Sequence, residues 1–167
     1  MAMAEGMKDP FSIRPARASD AHAILSFVRA LAEFEHLADR VTATEETIAG
    51  SLFGPRPHAE CLVAECGKEP AGIALFFHNF STFTGKPGLY LEDIFVSPAY
   101  RRLGIGLAFF RELARLALAR DCARLEWAVL DWNESALAFY RRLGAEPMSE
   151  WTVQRLTRGK LERLAKG

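Results

Sequence analysis

The sequence predicts an α+β fold, a mixed and mostly antiparallel central sheet flanked by helices, and three observations predict it. Apolar residues first recur at helical spacing, at Ile24, Phe27, Leu31 and Phe34. Short apolar runs separated by turn residues then replace that period. From residue 89 onward strand-like and helix-like segments alternate around what must be one sheet. Half of the 167 residues are hydrophobic and a quarter are charged, which is enough apolar material for one ordinary globular core.

Each element follows in order. Residues 11–15 read as a short strand. Ser19 offers an N-cap for the helix that carries the first apolar face, and this helix is expected to end near His36. Thr44 caps a shorter helix through Glu45, Ile48 and Leu52, stopped by the breaker Gly54, Pro55, Arg56 and Pro57. The runs 61–66 and 73–78, joined by Gly67, Lys68, Glu69 and Pro70, form an antiparallel hairpin. A polar loop with Gly85, Pro87 and Gly88 leads to a third strand at 89–96. A long amphipathic helix spans 105–120, with Leu107, Phe110, Leu113 and Leu116/Ala117 on one side. A strand at 124–130, a helix opened by Asn133 and ended by Gly144, and a last strand at 151–156 complete the chain. No internal repeat or low-complexity segment interrupts this order, so a single domain is expected.

Composition narrows the function. Twenty-one basic residues balance 21 acidic ones, so the field that would gather DNA, RNA or anionic lipid is missing and nucleic acid is not expected as a partner. No apolar run approaches a membrane span, and residues 1–10 lack the order of a signal peptide. The chain is therefore expected in the cytoplasm, with no membrane partner. Cys61, Cys66 and Cys122 are an odd number without a CxxC spacing and are read as reduced, buried thiols. His22, His36, His58 and His78 fall in no metal-binding pattern, and no metal is expected.

The chemistry concentrates in residues 90–106, YLEDIFVSPAYRRLGIG, a strand that runs through Pro98 into a glycine turn and a long helix. Gly104 and Gly106 permit close backbone approach, the helix start offers N–H groups, and Arg101 and Arg102 add positive charge; together these suit a pyrophosphate. A ligand-free glycine turn is the competing reading. The third glycine of a dinucleotide fingerprint is missing, and no Gly-Lys-Ser/Thr follows for a nucleotide P-loop.

Arg101-x-x-Gly104-x-Gly106 after a strand resembles the acyl-CoA signature of the GNAT superfamily of N-acetyltransferases. Phe34-Glu35, residues 90–96, residues 101–106 and Trp132-Asn133-Glu134 with Phe139-Tyr140 further resemble, in order and spacing, its diamine (spermidine/spermine) acetyltransferase branch. The resemblance runs from about residue 11 to the C-terminus. It implies a GNAT-like acyltransferase fold, residues 11–167 as a single acetyltransferase domain behind a tail at 1–10, acetyl-CoA as co-substrate, and a homodimer. It implies that Ile94, Phe95, Val96, Arg101, Arg102, Leu103, Gly104, Ile105, Gly106 and Leu107 hold the coenzyme, with Asn133, Ser135 and Ala136 on its other wall. Tyr140 is the implied general acid, and Phe34, Glu35, Glu92, Asp93 and Glu150 face the substrate amine.

The reaction asks for such groups. An alkyl ammonium with a pKa of about 10.4 must lose a proton before it attacks, at a cost of about 4.6 kcal/mol at pH 7. Glu92, a carboxylate in an otherwise apolar strand, is the expected base, directly or through water, because partial burial raises its pKa. Tyr140 hands a proton to the leaving thiolate. A backbone N–H near Phe95 or Val96, at a strand bulge, meets the developing oxyanion. Neighbours on a strand face opposite sides, so Asp93 is either functional or a satisfied structural carboxylate. Arg141 and Arg142 either reach phosphate or complement a helix C-terminus.

Two departures bear on the substrate. Phe34 stands where the branch often has a tyrosine, and Met148, Ser149, Glu150 and Trp151 form a shorter, less acidic segment than its counterpart. The leading expectation is a small diamine or polyamine. The alternatives are a thialysine- or lysine-like amino-acid amine, a non-catalytic acyl-CoA-binding module, and a protein acetyltransferase.

Overall fold

The structure is a computed structural model that describes residues 10–167; the tail at 1–10 lies, but for Pro10, outside the described residues. The chain divides into two compact units, one ending at Ala128 and the other spanning Val129–Gly167.

The first unit is built on a five-stranded sheet in the order β1-β2-β3-β4-β5. β1 (Ser12–Pro15), β2 (Glu60–Cys66), β3 (Glu69–Ser81) and β4 (Lys86–Val96) run antiparallel to one another, and β5 (Leu125–Trp127) joins β4 in parallel. The fold is thus the mixed, mostly antiparallel sheet that the pattern predicts. The hairpin strands are longer than expected: Glu69 and Pro70 belong to β3, and Pro87 and Gly88 to β4.

Three helices cover the sheet: α1 (Ala21–Phe34) packs on β3 and β4, α2 (Glu45–Phe53) on α1, and α3 (Ile105–Ala119) on β2, β4 and β5. On one face Ile24, Phe27, Val28 and Leu31 of α1 and Ile48 and Leu52 of α2 close over Cys61, Val63, Ile73, Leu75 and Phe95. Each fully buried aliphatic or aromatic side chain there contributes about 1.5–3 kcal/mol. On the other, Ile105, Phe109, Phe110, Leu113 and Ala117 of α3 are buried; Leu107, placed by the sequence on that inner stripe, is only half-buried.

Local chemistry explains the helix starts. Thr44 caps α2 as expected, its hydroxyl oxygen accepting the Thr47 N–H at 3.2 Å. Ser19 does not cap α1. It lies inside a 3₁₀ turn, Ala18–Asp20, and Asp20 is the N-cap. The buried Asp20 carboxylate accepts the Arg17 N–H at 2.7 Å and two bonds from Arg14, at 2.7 and 2.9 Å. The Asp20 carboxylate thus fixes the turn before α1 and pairs an arginine, and it accepts no N–H of α1 itself. α1 stops at Phe34, because His36 takes a left-handed φ of 59°.

The second unit holds α4 (Glu134–Arg142) and α5 (Arg158–Ala165). Asn133 caps α4, and Gly144 follows it with φ 84°, as read from the sequence. The last strand expected at 151–156 is absent. Trp151 and Val153 are 72% and 78% exposed, and no strand among the described residues pairs with this segment to hold it extended. The strand expected at 124–130 shrinks to three residues for a related reason: its pairing with β4 ends at Leu91↔Trp127.

No helix among the described residues is long and apolar enough to cross a membrane. All three cysteines are free; Cys61 is buried, and Cys66 and Cys122 are half-buried rather than buried.

Candidate active site

The stop at Leu91↔Trp127 coincides with a break in the other ladder of β4. Phe76 pairs with Leu91 and Leu75 with Asp93, so Glu92 is an extra residue, a β-bulge. The bulge expected near Phe95 or Val96 therefore lies earlier, at Glu92. It also overturns simple alternation. Directly paired residues share a face, so Asp93 lies with Leu75, and Phe95 with Ile73, on the face that α1 and α2 cover. Leu91, two residues before Asp93, goes with Phe76 to the opposite face. Beyond the bulge, β4 carries a ladder on its β3 side and none with β5.

Burial separates the two neighbouring carboxylates. Glu92 is exposed, so the partial burial expected of it is found at Asp93 instead, which is half-buried. Desolvation pushes the Asp93 carboxyl up to about 6, helped by the negative charges of Glu92 and Glu35. Glu35, at the C-cap of α1, is also raised by burial. The sequence singled out all three, and the fold brings them together as one acidic group. Phe34 beside Glu35 is 41% exposed.

The same strand then reaches the glycine turn. Pro98–Tyr100 form a 3₁₀ turn, and the Arg101 Nε donates to the Val96 carbonyl at 3.2 Å while its guanidinium stands 6.0 Å from the Phe95 ring centroid. Arg102 has φ 67° and Gly104 φ 88°. The N-cap position of Gly104 thus needs a residue that tolerates the left-handed region. The first bond of α3 runs from the Ala108 N–H to the Gly104 carbonyl at 3.0 Å, so the N–H groups of Ile105, Gly106 and Leu107 lie ahead of the helical ladder. Arg101, Arg102 and Leu103 are exposed beside them. Donors of this kind, a positive helix end and two guanidinium groups fit a pyrophosphate.

The second unit presents the remaining predicted residues. The Asn133 side-chain oxygen accepts the Ala136 N–H at 3.2 Å and the Ser135 hydroxyl at 3.1 Å. These three expected coenzyme residues thus build the start of α4. Tyr140 is half-buried, its ring 5.6 Å from that of Phe139. Arg141 faces Glu134 at 4.0 Å. Arg142 and Glu150 are exposed.

A carboxylate group and a phosphate cradle delivered by one strand are the parts of an acyl-CoA-dependent amine transferase, and a model of the acetyltransferase (GNAT) family matches residues 25–145. The chain belongs to the GNAT acetyltransferases. Among its relatives, the thialysine N-epsilon-acetyltransferase of Bos taurus is 40% identical over 83% of this chain and 85% of its own length. The spermidine/spermine N(1)-acetyltransferase-like protein 1 of Homo sapiens is 33% identical over 95% of this chain and 24% of its own length. A solved integron cassette protein from V. cholerae superimposes with a TM-score of 0.80 at 26% identity, over 97% of this chain and 100% of the other. The protein is an enzyme, an acetyltransferase of the class that moves acetyl groups to amines, and GNAT acetyltransferases take acetyl-CoA as co-substrate.

Sequence reasoning expected a bulge in this strand of the GNAT site but misplaced it. Its position leaves no composition signal, since Glu92 and Asp93 sit in an unbroken strand pattern. Gly72 was missed outright: a Cβ there would collide with the Phe95 carbonyl and stand 3.1 Å from the Val96 Cα. Only a glycine lets β3 lie this close to the strand end that meets the cradle.

Proposed function

We propose that this acetyltransferase modifies the side-chain amine of a lysine-like amino acid, thialysine being the reference case, with acetyl-CoA as donor. The observation that carries the reading is that β4 delivers an acidic group at Glu92 and Asp93, joined by Glu35, a few residues before the cradle that follows Val96. Two carboxylates whose charges both reach Asp93 make with it an acidic group that suits a single ammonium. A long polyamine asks for a second acidic locus, and the 148–151 segment offers Glu150 alone. The thialysine acetyltransferase relative, at 40% identity over most of both chains, supports this choice over a polyamine. The relative of polyamine type, at 33% identity, keeps the diamine or polyamine reading as the second.

Acetyl-CoA supplies an activated thioester, so no enzyme-bound acyl group is needed. Arg101, Arg102 and the backbone N–H groups at residues 103–107 hold its phosphates, and Ile94, Phe95 and Val96 hold its arm. A backbone N–H of Phe95 or Val96 meets the thioester oxygen. The carboxylates of Glu35, Glu92 and Asp93 hold the ammonium, with Phe34 at the substrate's flank. Tyr140 donates a proton to the departing sulfur. We take the enzyme as a cytoplasmic homodimer acting on a small molecule through a single acetyltransferase domain; light scattering of the purified protein tests the dimer.

Acetyl-CoA-dependent thiol release with thialysine, lysine, putrescine, spermidine and spermine tests the substrate. The highest kcat/KM is expected with thialysine or lysine. A clear preference for a diamine or polyamine replaces this reading with the second, and no turnover with any amine sinks both.

A further inference from the structure

The bulge at Glu92 has a chemical consequence for the two carboxylates beside it. In an unbroken strand Leu91, Asp93 and Phe95 would share a face. Here Leu91 joins Phe76 on one face, while Asp93 joins Leu75 on the face covered by α1. The extra residue thus carries Asp93 toward the end of α1, where Glu35 stands, and leaves Glu92 exposed on the bulge. One carboxylate is half-buried and the other exposed. We infer that Asp93 is the group that takes the proton from the substrate's ammonium, and that Glu92 holds the cation from the solvent side. This rests on the amine-acetylating reading above and assigns a role within the same site.

The groups acting on Asp93 come from each element packed about it. Glu92 lies on its own strand and Glu35 at the end of α1, both negative; the Cys61 thiol on β2 is pushed up to about 12 by its burial and stays protonated. Among the described residues, the charges that shift this carboxyl are those two carboxylates. An enclosed carboxylate among negative neighbours holds a proton more tightly than a solvated one. With the Asp93 carboxyl moved from 3.8 to about 6, proton transfer from an ammonium becomes about a hundredfold less uphill than to an ordinary aspartate. A base near the working pH is also the efficient one. Glu92 keeps the complementary role, because a solvated carboxylate attracts a cation without needing to accept its proton.

The step balances. One N–H bond of the ammonium breaks and its proton goes to an Asp93 carboxylate oxygen, leaving the lone pair on nitrogen. That pair forms the N–C bond to the thioester carbon, and the C–S bond breaks. The second nitrogen proton ends on the departing sulfur. Asp93 then returns its proton to solvent past the exposed Glu92.

The test compares wild type, Asp93→Asn and Glu92→Gln in kcat and kcat/KM from pH 5 to 10, with whichever amine of the panel turns over. Circular dichroism and acetyl-CoA binding confirm that each variant is folded. Wild type is expected to show an acid limb near pH 6. Asp93→Asn should lose about 10²- to 10³-fold in kcat at neutral pH, lose that limb, and recover as pH approaches the amine's own pKa, where no base is needed. Glu92→Gln should raise the amine KM and keep the limb. If Asp93→Asn keeps both limb and kcat, or if Glu92→Gln removes the limb, the assignment is overturned while the amine reading stands. A wild type inert to every amine overturns both.

Discussion

Asp93 makes a stability prediction that is independent of turnover. In the folded protein its carboxyl sits at about 6 against 3.8 when solvated, because burial and the charges of Glu92 and Glu35 oppose ionisation. The folded state therefore binds this proton more tightly than the unfolded chain does. Stability from this group is complete below pH 3.8 and is lost as pH rises to about 6. Near neutrality the ionised Asp93 destabilises the fold by about 3 kcal/mol if the whole difference is expressed, at 1.36 kcal/mol per pKa unit. Asp93→Asn keeps the shape and removes the charge, so it should stabilise the protein by about 1–3 kcal/mol at pH 7.5 and by nearly nothing at pH 4. Urea unfolding followed by tryptophan fluorescence at both pH values measures the two gaps. Asp20, which also titrates in acid, is common to both proteins and cancels. A variant no more stable than wild type at pH 7.5, or a gap that fails to shrink by pH 4, would refute the reasoning and with it the enclosure of Asp93.

Three further outcomes follow from other parts of the molecule. Gly72→Ala drives a methyl group into the Phe95 carbonyl; it should cost about 1–3 kcal/mol and raise the KM for acetyl-CoA, whereas an unchanged KM would separate β3 spacing from the coenzyme site. Asp20→Asn removes the charge that Arg14 and the Arg17 N–H share, and Arg14 holds this carboxyl below its ordinary range. That pairing stabilises above the unfolded carboxyl's pKa and fades as pH falls, so the variant should lose about 1–3 kcal/mol at pH 7 and progressively less toward pH 3, measured by denaturant midpoint. Tyr140→Phe should lower kcat by about 10²-fold or more with the coenzyme KM held; undiminished kcat in steady-state assays removes Tyr140 from the reaction.

Much of the fold was legible because it rests on local rules. The helical spacing of Ile24, Phe27 and Leu31, the Thr44 cap, the Gly54-Pro55 stop and the strand-to-cradle run at 90–106 each depend on residues within a few positions of one another. The phosphate cradle was readable for that reason: its left-handed Gly104 and the two arginines lie in one short stretch. The strand expected at 151–156 failed for the opposite reason. Trp151 and Val153 alternate as a strand does, yet a strand exists only where a neighbour supplies its hydrogen bonds, and alternation says nothing of that neighbour.

The carboxylates show the same division more sharply. Chain order alone determined that Glu92 and Asp93 stand side by side in an apolar strand before an acyl-CoA signature, and so that a cation-binding, proton-accepting group belongs there. Which of the two is enclosed was decided by the tertiary structure. The bulge arises from pairing with β3, Gly72 sets how near that strand comes, and Glu35 arrives from α1, 57 positions before Glu92. Burial and mutual repulsion act through space, so the acidity of a carboxyl depends on what the fold brings beside it and not on its neighbours along the chain.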